Sequence, residues 1–424
     1  MDYKNLVIEN IKKFYERGLF HIFGSQVINQ IVNFAGGILL IRILSKDEFG
    51  IYTYAQNIFS IFLLINGFGV QEGLMQFGSR YESEDKKNKL IKYSFKIGLL
   101  SNIFLMVLML FYTCFGTFKI VGAKEIFILM LFFPFLYTFF GIVQIVLRIN
   151  LKNKEMSNLV NLNSILMVTG MLIGSYTFNL PGLVLGKYIG YIFCIFISYK
   201  YVSKIFKNWS VIKDIDTENK KRMIHFSLTT VVNNGLSQAL YIADIFLIGV
   251  ILSNENILAT YKTATLIPFA LSFIPSSIMI YMYPYFAKNG ENKQWVFNKY
   301  LIMMKFLFCL NLLISISLVV FSKSIISFIF GNQYLDGVHP FIILSIGYFF
   351  LATFRIPSGN IINSIGKIKY NLYSTIISGG LNIVLDIIFI TKFGSIGAAY
   401  ATLIIFIVSG LIGNIFLIYD LRKN

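Results

Sequence analysis

Apolar residues fill this chain in long unbroken runs, and polar residues cluster between the runs. The segments IFLMVLMLFYTCFG (residues 103–116) and LIIFIVSGLIGNIFLIY (residues 403–419) are apolar on every side of a helix. Transmembrane β-strands would instead alternate apolar and polar residues with a period of two. Runs of about 20 apolar residues are long enough to cross a membrane as helices. Twelve such spans are predicted, centred on residues 20–43, 52–78, 93–116, 126–147, 158–177, 182–202, 224–251, 259–286, 301–322, 340–363, 371–391 and 396–419.

Composition and charge agree with a polytopic membrane protein whose fold is all-α. Hydrophobic residues make up 56% of the 424 residues and charged residues only 13%, too little polar surface to cover a water-soluble core. The net charge of +17 comes largely from alternate connections, with seven Lys and Arg between Lys200 and Arg222 alone. This bias is the orientation signal of a membrane protein, so we expect both termini in the cytoplasm and no nucleic-acid partner. A short helix on the inner membrane face is predicted for residues 1–18.

One stretch of sequence occurs twice. ILSKDEFGIYTYA at residues 43–55 returns as ILSNENILATYKTA at residues 251–264, and further matches follow at an offset of 215 residues. The chain is therefore predicted to be two six-helix bundles, residues 1–205 and 206–424. Because six is even, both bundles enter the membrane in the same direction, as a parallel repeat. A substrate is expected in the cleft between them.

Both predicted bundles open with a polar stripe on their first span. Gln26 and Gln30 lie on one face of the first span, and the repeat places Asn234 and Gln238 at the matching positions. An amide without a partner is costly in hydrocarbon, so these stripes should face protein or water. They either hold neighbouring helices together or line a shared wet cavity, and both interpretations stay open here.

Ionisable residues within spans are rare and usually mark a pathway. Glu72, Asp244 and Arg355 are predicted to have a functional or internally paired role, and Asp386 is a further candidate. A second group of ionisable residues lies nearer the predicted span ends, and we expect their long side chains to reach the headgroups by snorkelling. This group comprises Arg42, Arg148, Lys187 and Lys305.

Several motifs together resemble one family. ILSKDEFGIYTYA after the first span, GFGVQEGLMQFGSR (residues 67–80), LRINLKNK (residues 147–154) and PSGNIINSIGKIKYN (residues 357–371) resemble the polysaccharide flippases of the multidrug/oligosaccharidyl-lipid/polysaccharide exporter superfamily. The resemblance extends from about residue 15 to residue 420. One departure is that many relatives have a basic residue near Gln76, whereas the nearest one here is Arg80.

The resemblance implies a bacterial inner-membrane protein that moves undecaprenyl-diphosphate-linked oligosaccharides outward by alternating access, for O-antigen or capsule-type polysaccharide. It implies a V-shaped central cavity between the bundles, no cofactor, and a polysaccharide polymerase and chain-length regulator as partners. Arg355 and Arg148 could neutralise the diphosphate, while the polar stripes could bind the glycan. The acids Glu72, Asp244 and Asp386 could hold these arginines, or couple transport to a proton or sodium gradient.

Two other classes of function remain open. A cation-coupled drug exporter of the same superfamily would be expected to have a mainly acidic cavity, whereas the buried charges here are of mixed sign. A polytopic polysaccharide polymerase or glycosyltransferase would be expected to carry a large loop or extramembrane domain. All connections between the predicted spans are short, and the sequence shows no Ser/His/Asp arrangement.

Overall fold

The structure is a computed structural model that describes the backbone of residues 19–422. The side chains of a few residues within this range are outside the described part: residues 19–23, 233, 234, 236, 237, 239–241, 284 and 368. The helix predicted for residues 1–18 also lies outside the described residues.

The first half of the described chain is helical throughout. Its helices are α1 (Leu19–Ile43), α2 (Lys46–Leu63), α3 (Val70–Gly78), α4 (Glu84–Phe115), α5 (Ala123–Leu129), α6 (Phe133–Ile149), α7 (Asn153–Ser198) and α8 (Ser203–Lys207), with short 3₁₀ turns at Asn66–Gly69 and Tyr199–Tyr201.

The second half follows the same plan. Its helices are α9 (Thr217–Leu252), α10 (Glu255–Leu271), α11 (Phe273–Lys288), α12 (Lys293–Val320), α13 (Ser322–Ile329), α14 (Val338–Phe350), α15 (Ile356–Ser364) and α16 (Ile368–Arg422), with a 3₁₀ turn at Asn332–Gly337 and a π-helical segment at Leu351–Arg355, called the π segment below.

The two longest helices, α7 and α16, each fold back on themselves. A Cβ atom on Gly182 would lie 2.0 Å from the carbonyl oxygen of Gly174, although residues eight apart in one continuous helix are separated by about 12 Å. In α16 a Cβ on Gly397 would likewise lie 2.0 Å from the carbonyl oxygen of Phe389. Each of these helices is therefore a tight helical hairpin, in which glycine allows the two backbones to touch.

Eight helices of the described chain are long and apolar enough to cross a membrane. A ninth is added if α5 and α6, which meet at an angle of 43°, form one span. The prediction of a multi-pass helical membrane protein is confirmed. The count of twelve spans stays a prediction.

The chain forms two compact units. The N-terminal unit comprises residues up to Glu48 together with Ala55–Ala239, and the C-terminal unit comprises Phe49–Tyr54 together with Leu240–Asn424. Along the sequence, the boundary between the units falls within α9, between Ala239 and Leu240. The boundary predicted at residues 205 and 206 from the sequence repeat stays a prediction.

Unusual backbone conformations recur at the spacing of the sequence repeat. Leu151 and Gly366, which are 215 residues apart, both have positive φ angles, of 57° and 79°. The hairpin reversals show the same correspondence, because Asn179 (φ 50°, ψ −133°) in α7 matches Gly394 (φ 61°, ψ −142°) in α16. The backbone of the two units is thus repeated at these points, which set the register for comparing positions in one unit with positions in the other.

The repeated stretch that opens the second helix of each half acts as a helix cap. The Ser45 hydroxyl accepts a hydrogen bond from the backbone N–H of Glu48 at 3.2 Å, at the start of α2. The Asn254 side chain accepts one from the backbone N–H of Ile257 at 3.0 Å, at the start of α10. Ser, Asp and Asn are preferred at this position because their oxygens satisfy N–H groups that the helix leaves unpaired. The repeat therefore preserves a helix start.

Candidate functional site

A small cavity lies within the C-terminal unit. It is formed by α9, α10, the π segment and both arms of the α16 hairpin. The residues that line it are Asp244, Phe269, Arg355, Ser378, Gly379, Asn382, Thr402, Ile405 and Phe406. The cavity thus combines a carboxyl group and a guanidinium group inside an apolar helical unit.

Asp244 of α9 is buried and held by two hydroxyl groups. Its Oδ2 accepts a hydrogen bond from Thr402 Oγ1 at 2.6 Å and another from the Tyr261 hydroxyl at 3.1 Å. Hydrogen bonds to a charged acceptor contribute about 1.5–3 kcal/mol each. The two donors come from α16 and α10, so three helices fix the position of this carboxyl group.

Asp386 lies in the first arm of α16 and is fully buried. Its Oδ2 accepts a hydrogen bond from the side-chain amide of Asn382 at 3.0 Å. These two residues are one helical turn apart, so they share a face. Its other oxygen, Oδ1, is buried and receives no hydrogen bond from a hydroxyl or amide among the described residues.

The two acids form a pair. The carboxyl groups of Asp244 and Asp386 lie within hydrogen-bonding reach of each other. Two carboxylates this close, and both shielded from water, do not both keep a negative charge unless they share a proton or a cation. The arrangement is therefore suited to take up and release one positive charge.

Arg355 ends the π segment and lines the same cavity. Its guanidinium carbon lies 5.9 Å from the centroid of the Phe406 ring, a cation–π distance. No salt bridge joins Arg355 to a carboxylate within the described part of the chain. The guanidinium group is partly exposed and retains donors for a ligand.

The π segment is stabilised by an amide from the last helix. In a π-helix the hydrogen bonds span five residues, here from the backbone N–H of Ile356 to the carbonyl of Leu351. The wider turn makes the Phe354 carbonyl available to the Asn414 side chain, which donates to it at 3.2 Å. Arg355 follows directly, so this contact fixes the backbone that carries the guanidinium group.

A second amide contacts the same segment from α12. The Asn311 side chain donates to Thr353 Oγ1 at 3.2 Å and accepts a hydrogen bond from the Tyr348 hydroxyl at 3.0 Å. All three side chains are buried. The π segment is thus held on both sides, and π-helical turns occur frequently at functional sites.

The structure brings three of the nine predicted site residues together, namely Asp244, Asp386 and Arg355. Arg148, in the last turn of α6, and Glu72, in the first turn of α3, are exposed residues of the N-terminal unit. Neither forms a salt bridge with another described residue.

The polar stripe of α1 divides into two parts. Asn29 donates to the side-chain oxygen of Asn161 in α7 at 2.8 Å, and it accepts a hydrogen bond from Ser164. Gln26 and Gln30 are exposed. Part of the stripe therefore joins helices, and part is available to a ligand. In α9, Gln238 is exposed as well, while the side chain of Asn234 lies outside the described part.

The expectation that Lys187 snorkels to the headgroups is wrong. Its ammonium group donates to the side-chain oxygen of Gln56 at 3.2 Å and lies 4.6 Å from the centroid of the Phe133 ring. The predicted span ends placed Lys187 near a headgroup region. The α7 hairpin instead turns this side chain toward neighbouring helices of the N-terminal unit.

Sequence reasoning did not identify Tyr261, Asn382 and Thr402 as site residues. Asn382 precedes Asp386 by one helical turn, and this spacing was a usable signal. Tyr261 lies in the repeated stretch ILSNENILATYKTA, whose pattern marks a helix start rather than a ligand site. Thr402 lies in an apolar run in which nothing marks it.

Comparison with known proteins gives matches along most of the chain. Residues 16–290 match the family model described as "Polysaccharide biosynthesis protein". An uncharacterised membrane protein of Methanocaldococcus jannaschii is 23% identical over 393 residues, which cover 86% of this chain and 77% of that protein.

Solved structures of similar fold are transporters. The lipid II flippase MurJ in an inward closed conformation has a TM-score of 0.74 at 17% identity, covering 95% of this chain and 87% of that chain. An inward-facing multidrug resistance MATE family transporter of the MOP superfamily also has a TM-score of 0.74, at 15% identity, covering 93% and 94%. A MOP superfamily transporter from Pyrococcus furiosus, described as having a binding pocket of reverse polarity, has a TM-score of 0.61 at 15% identity and covers 97% of each chain. At these identities the likeness shows a shared fold.

Proposed function

Because this chain belongs to the family of polysaccharide biosynthesis proteins, we propose that it is a flippase for lipid-linked oligosaccharides. The cargo is an oligosaccharide repeat unit on undecaprenyl diphosphate, moved outward across the bacterial inner membrane by alternating access. Both termini are cytoplasmic. The product feeds O-antigen or capsule-type polysaccharide, with a polymerase and a chain-length regulator as partners.

The observation that carries this proposal is Arg355. A guanidinium group binds phosphate oxygens in a bidentate way, and such contacts are strong in surroundings that exclude water. Arg355 lines a membrane-embedded cavity and has no carboxylate partner among the described residues. A diphosphate would supply the missing negative charge. The exposed amides Gln26, Gln30 and Gln238 are suited to contact the glycan.

The acid pair supplies a coupling device. Asp244 and Asp386 would bind a proton or a sodium ion from the outside and release it to the cytoplasm as the protein changes conformation. Uptake of one positive charge removes their mutual repulsion, so the occupied and empty states differ in the packing of α9 against α16. A membrane gradient could then drive export.

A cation-coupled drug exporter is the second candidate. The fold shared with a multidrug resistance MATE family transporter favours it, as does the buried acid pair. Arg355 weighs against it, because a guanidinium group in the cavity repels a cationic drug.

Deletion of the gene in its own organism tests the proposal. We expect loss of the surface polysaccharide and accumulation of lipid-linked single repeat units on the cytoplasmic leaflet, measured by whether an added glycosidase can reach them in spheroplasts. Single units that reach the outer leaflet but stay unpolymerised would instead assign a polymerase. An unchanged surface polysaccharide together with new sensitivity to cationic drugs would assign a drug exporter.

A further inference from the structure

The repeated geometry allows the cavity of the C-terminal unit to be compared with the same place in the N-terminal unit. The Arg355 guanidinium lies 5.9 Å from the Phe406 ring. The matching residues 215 positions earlier are Phe140 and Tyr191, whose ring centroids are 5.8 Å apart. The same contact is thus made by a cation and a ring in one unit and by two rings in the other.

The charges of the acid pair have no counterpart in the N-terminal unit. Asp386 lies eight residues before the reversal of α16, and the residue eight before the reversal of α7 is Met171. Asp244 lies nine residues before Ser253, and Gly36 lies nine residues before Ser45. Both carboxyl groups are therefore replaced by uncharged residues.

A positive charge appears instead at the position that matches Thr402. Thr402, which donates to Asp244, lies eight residues after the reversal of α16, and Lys187 lies eight residues after the reversal of α7. The backbone at this point is fixed, because a Cβ on Gly186 would lie 1.9 Å from the carbonyl oxygen of Gly170. The two units therefore differ in charge here, because the N-terminal unit has a lysine where the C-terminal unit has the threonine that donates to Asp244.

Lys187 has unused capacity to bind an anion. An ammonium group has three N–H donors, and the structure shows one hydrogen bond, to Gln56, and one ring contact, with Phe133. No carboxylate of the described residues forms a salt bridge with it. A partly buried cation without a counter-charge is unfavourable, and an anionic oxygen would relieve this.

We propose that Lys187 is the central residue of an anion-binding site in the N-terminal unit and that its ligand is a phosphate oxygen. The source is the diphosphate of the lipid-linked cargo, so this inference rests on the proposed function and adds a binding residue to it. Lys187 matches the threonine that holds Asp244, so the C-terminal unit would bind a cation through its acids and the N-terminal unit an anion through its lysine.

Direct binding tests the site. The full-length protein in lipid nanodiscs is titrated with undecaprenyl diphosphate and, separately, with phosphatidylglycerol, and bound lipid is counted by native mass spectrometry. Lys187→Gln should lower affinity for undecaprenyl diphosphate at least tenfold, and Lys187→Arg should retain most of it. Lys305→Gln, which removes an exposed lysine of α12, is the matched control and should leave binding unchanged.

The outcomes separate the two phosphate sources and the two proposals. A larger loss for undecaprenyl diphosphate than for phosphatidylglycerol assigns the site to the cargo, whereas an equal loss for both overturns that assignment in favour of a membrane phospholipid. Unchanged binding of both lipids by Lys187→Gln, with an unchanged unfolding temperature, overturns the site.

If the wild-type protein binds phosphatidylglycerol through Lys187 but does not bind undecaprenyl diphosphate, the proposed function fails and the anion site stands. If Lys187→Gln is unstable, Lys187→Met and Lys187→Arg replace it, and equal binding by these two overturns the site.

Discussion

Replacing Asp386 by asparagine should uncouple transport from the membrane gradient. The Asp386 and Asp244 carboxyl groups lie within hydrogen-bonding reach. Two unit charges about 4 Å apart repel each other by about 4 kcal/mol at an effective dielectric constant near 20. That repulsion is what a bound proton or sodium ion relieves. Removing one charge should therefore weaken uptake of the coupling ion by up to about a thousandfold.

The assay is transport by the purified protein in proteoliposomes with an imposed proton or sodium gradient. We expect the wild-type rate to depend on one of the two gradients and the Asp386→Asn rate to depend on neither. Asp420→Asn is the matched control, because Asp420 is an acid on the same helix whose partner is Lys367 at 3.0 Å rather than a second carboxyl group. Lys367 is half-exposed and Asp420 largely buried, so Asp420→Asn breaks an ion pair without changing the acid pair. A wild-type response to the gradient in Asp386→Asn would refute the coupling role of the acid pair.

Three further predictions follow from the site and the topology. Arg355→Ala should reduce export at least tenfold, and Arg355→Lys should restore it only in part, because lysine lacks the bidentate geometry; surface polysaccharide at normal protein levels is the readout. Asn414→Leu removes the hydrogen bond to the Phe354 carbonyl together with those to the Gly410 carbonyl and from the Tyr300 hydroxyl, each worth about 1 kcal/mol; it should reduce export alone but add nothing in an Arg355→Ala background, whereas additive losses would contradict a positioning role. In a cysteine-free background, membrane-impermeant labelling should reach cysteines at Val121 and Gln333 only from outside and those at Asn208 and Lys369 only from the cytoplasm, and two sites labelled from the wrong side would contradict the twelve-span topology.

The helices and the repeat were predictable because membrane burial leaves a direct mark on sequence. Runs of apolar residues locate helices, and ILSKDEFGIYTYA with its later copy marks the start of matching helices, where Ser45 and Asn254 cap α2 and α10. Asp244 and Asp386 were predictable as candidates because a buried acid is rare in a membrane.

The assembly of the site was not predictable from one sequence. Asp244 and Asp386 are separated by 142 residues, and no periodicity states which helices are neighbours. The hairpins of α7 and α16 decide which helices are neighbours. In each half of the chain, they bring the fifth and sixth predicted spans into backbone contact. Lys187 was misjudged for the same reason: distance from a predicted span end does not show that Gln56 and Phe133 lie beside the ammonium group.

The most direct test of the proposed function is flipping of a defined lipid by the purified protein. Proteoliposomes would carry a fluorescent oligosaccharide on undecaprenyl diphosphate in both leaflets, and an added glycosidase would cleave only units on the outer leaflet. The proposal predicts that the wild-type protein exposes the protected inner pool to the enzyme and that Arg355→Ala leaves it protected, as in protein-free liposomes. An inner pool that stays protected with wild-type protein, under a proton gradient and under a sodium gradient of either direction, would contradict the proposed function.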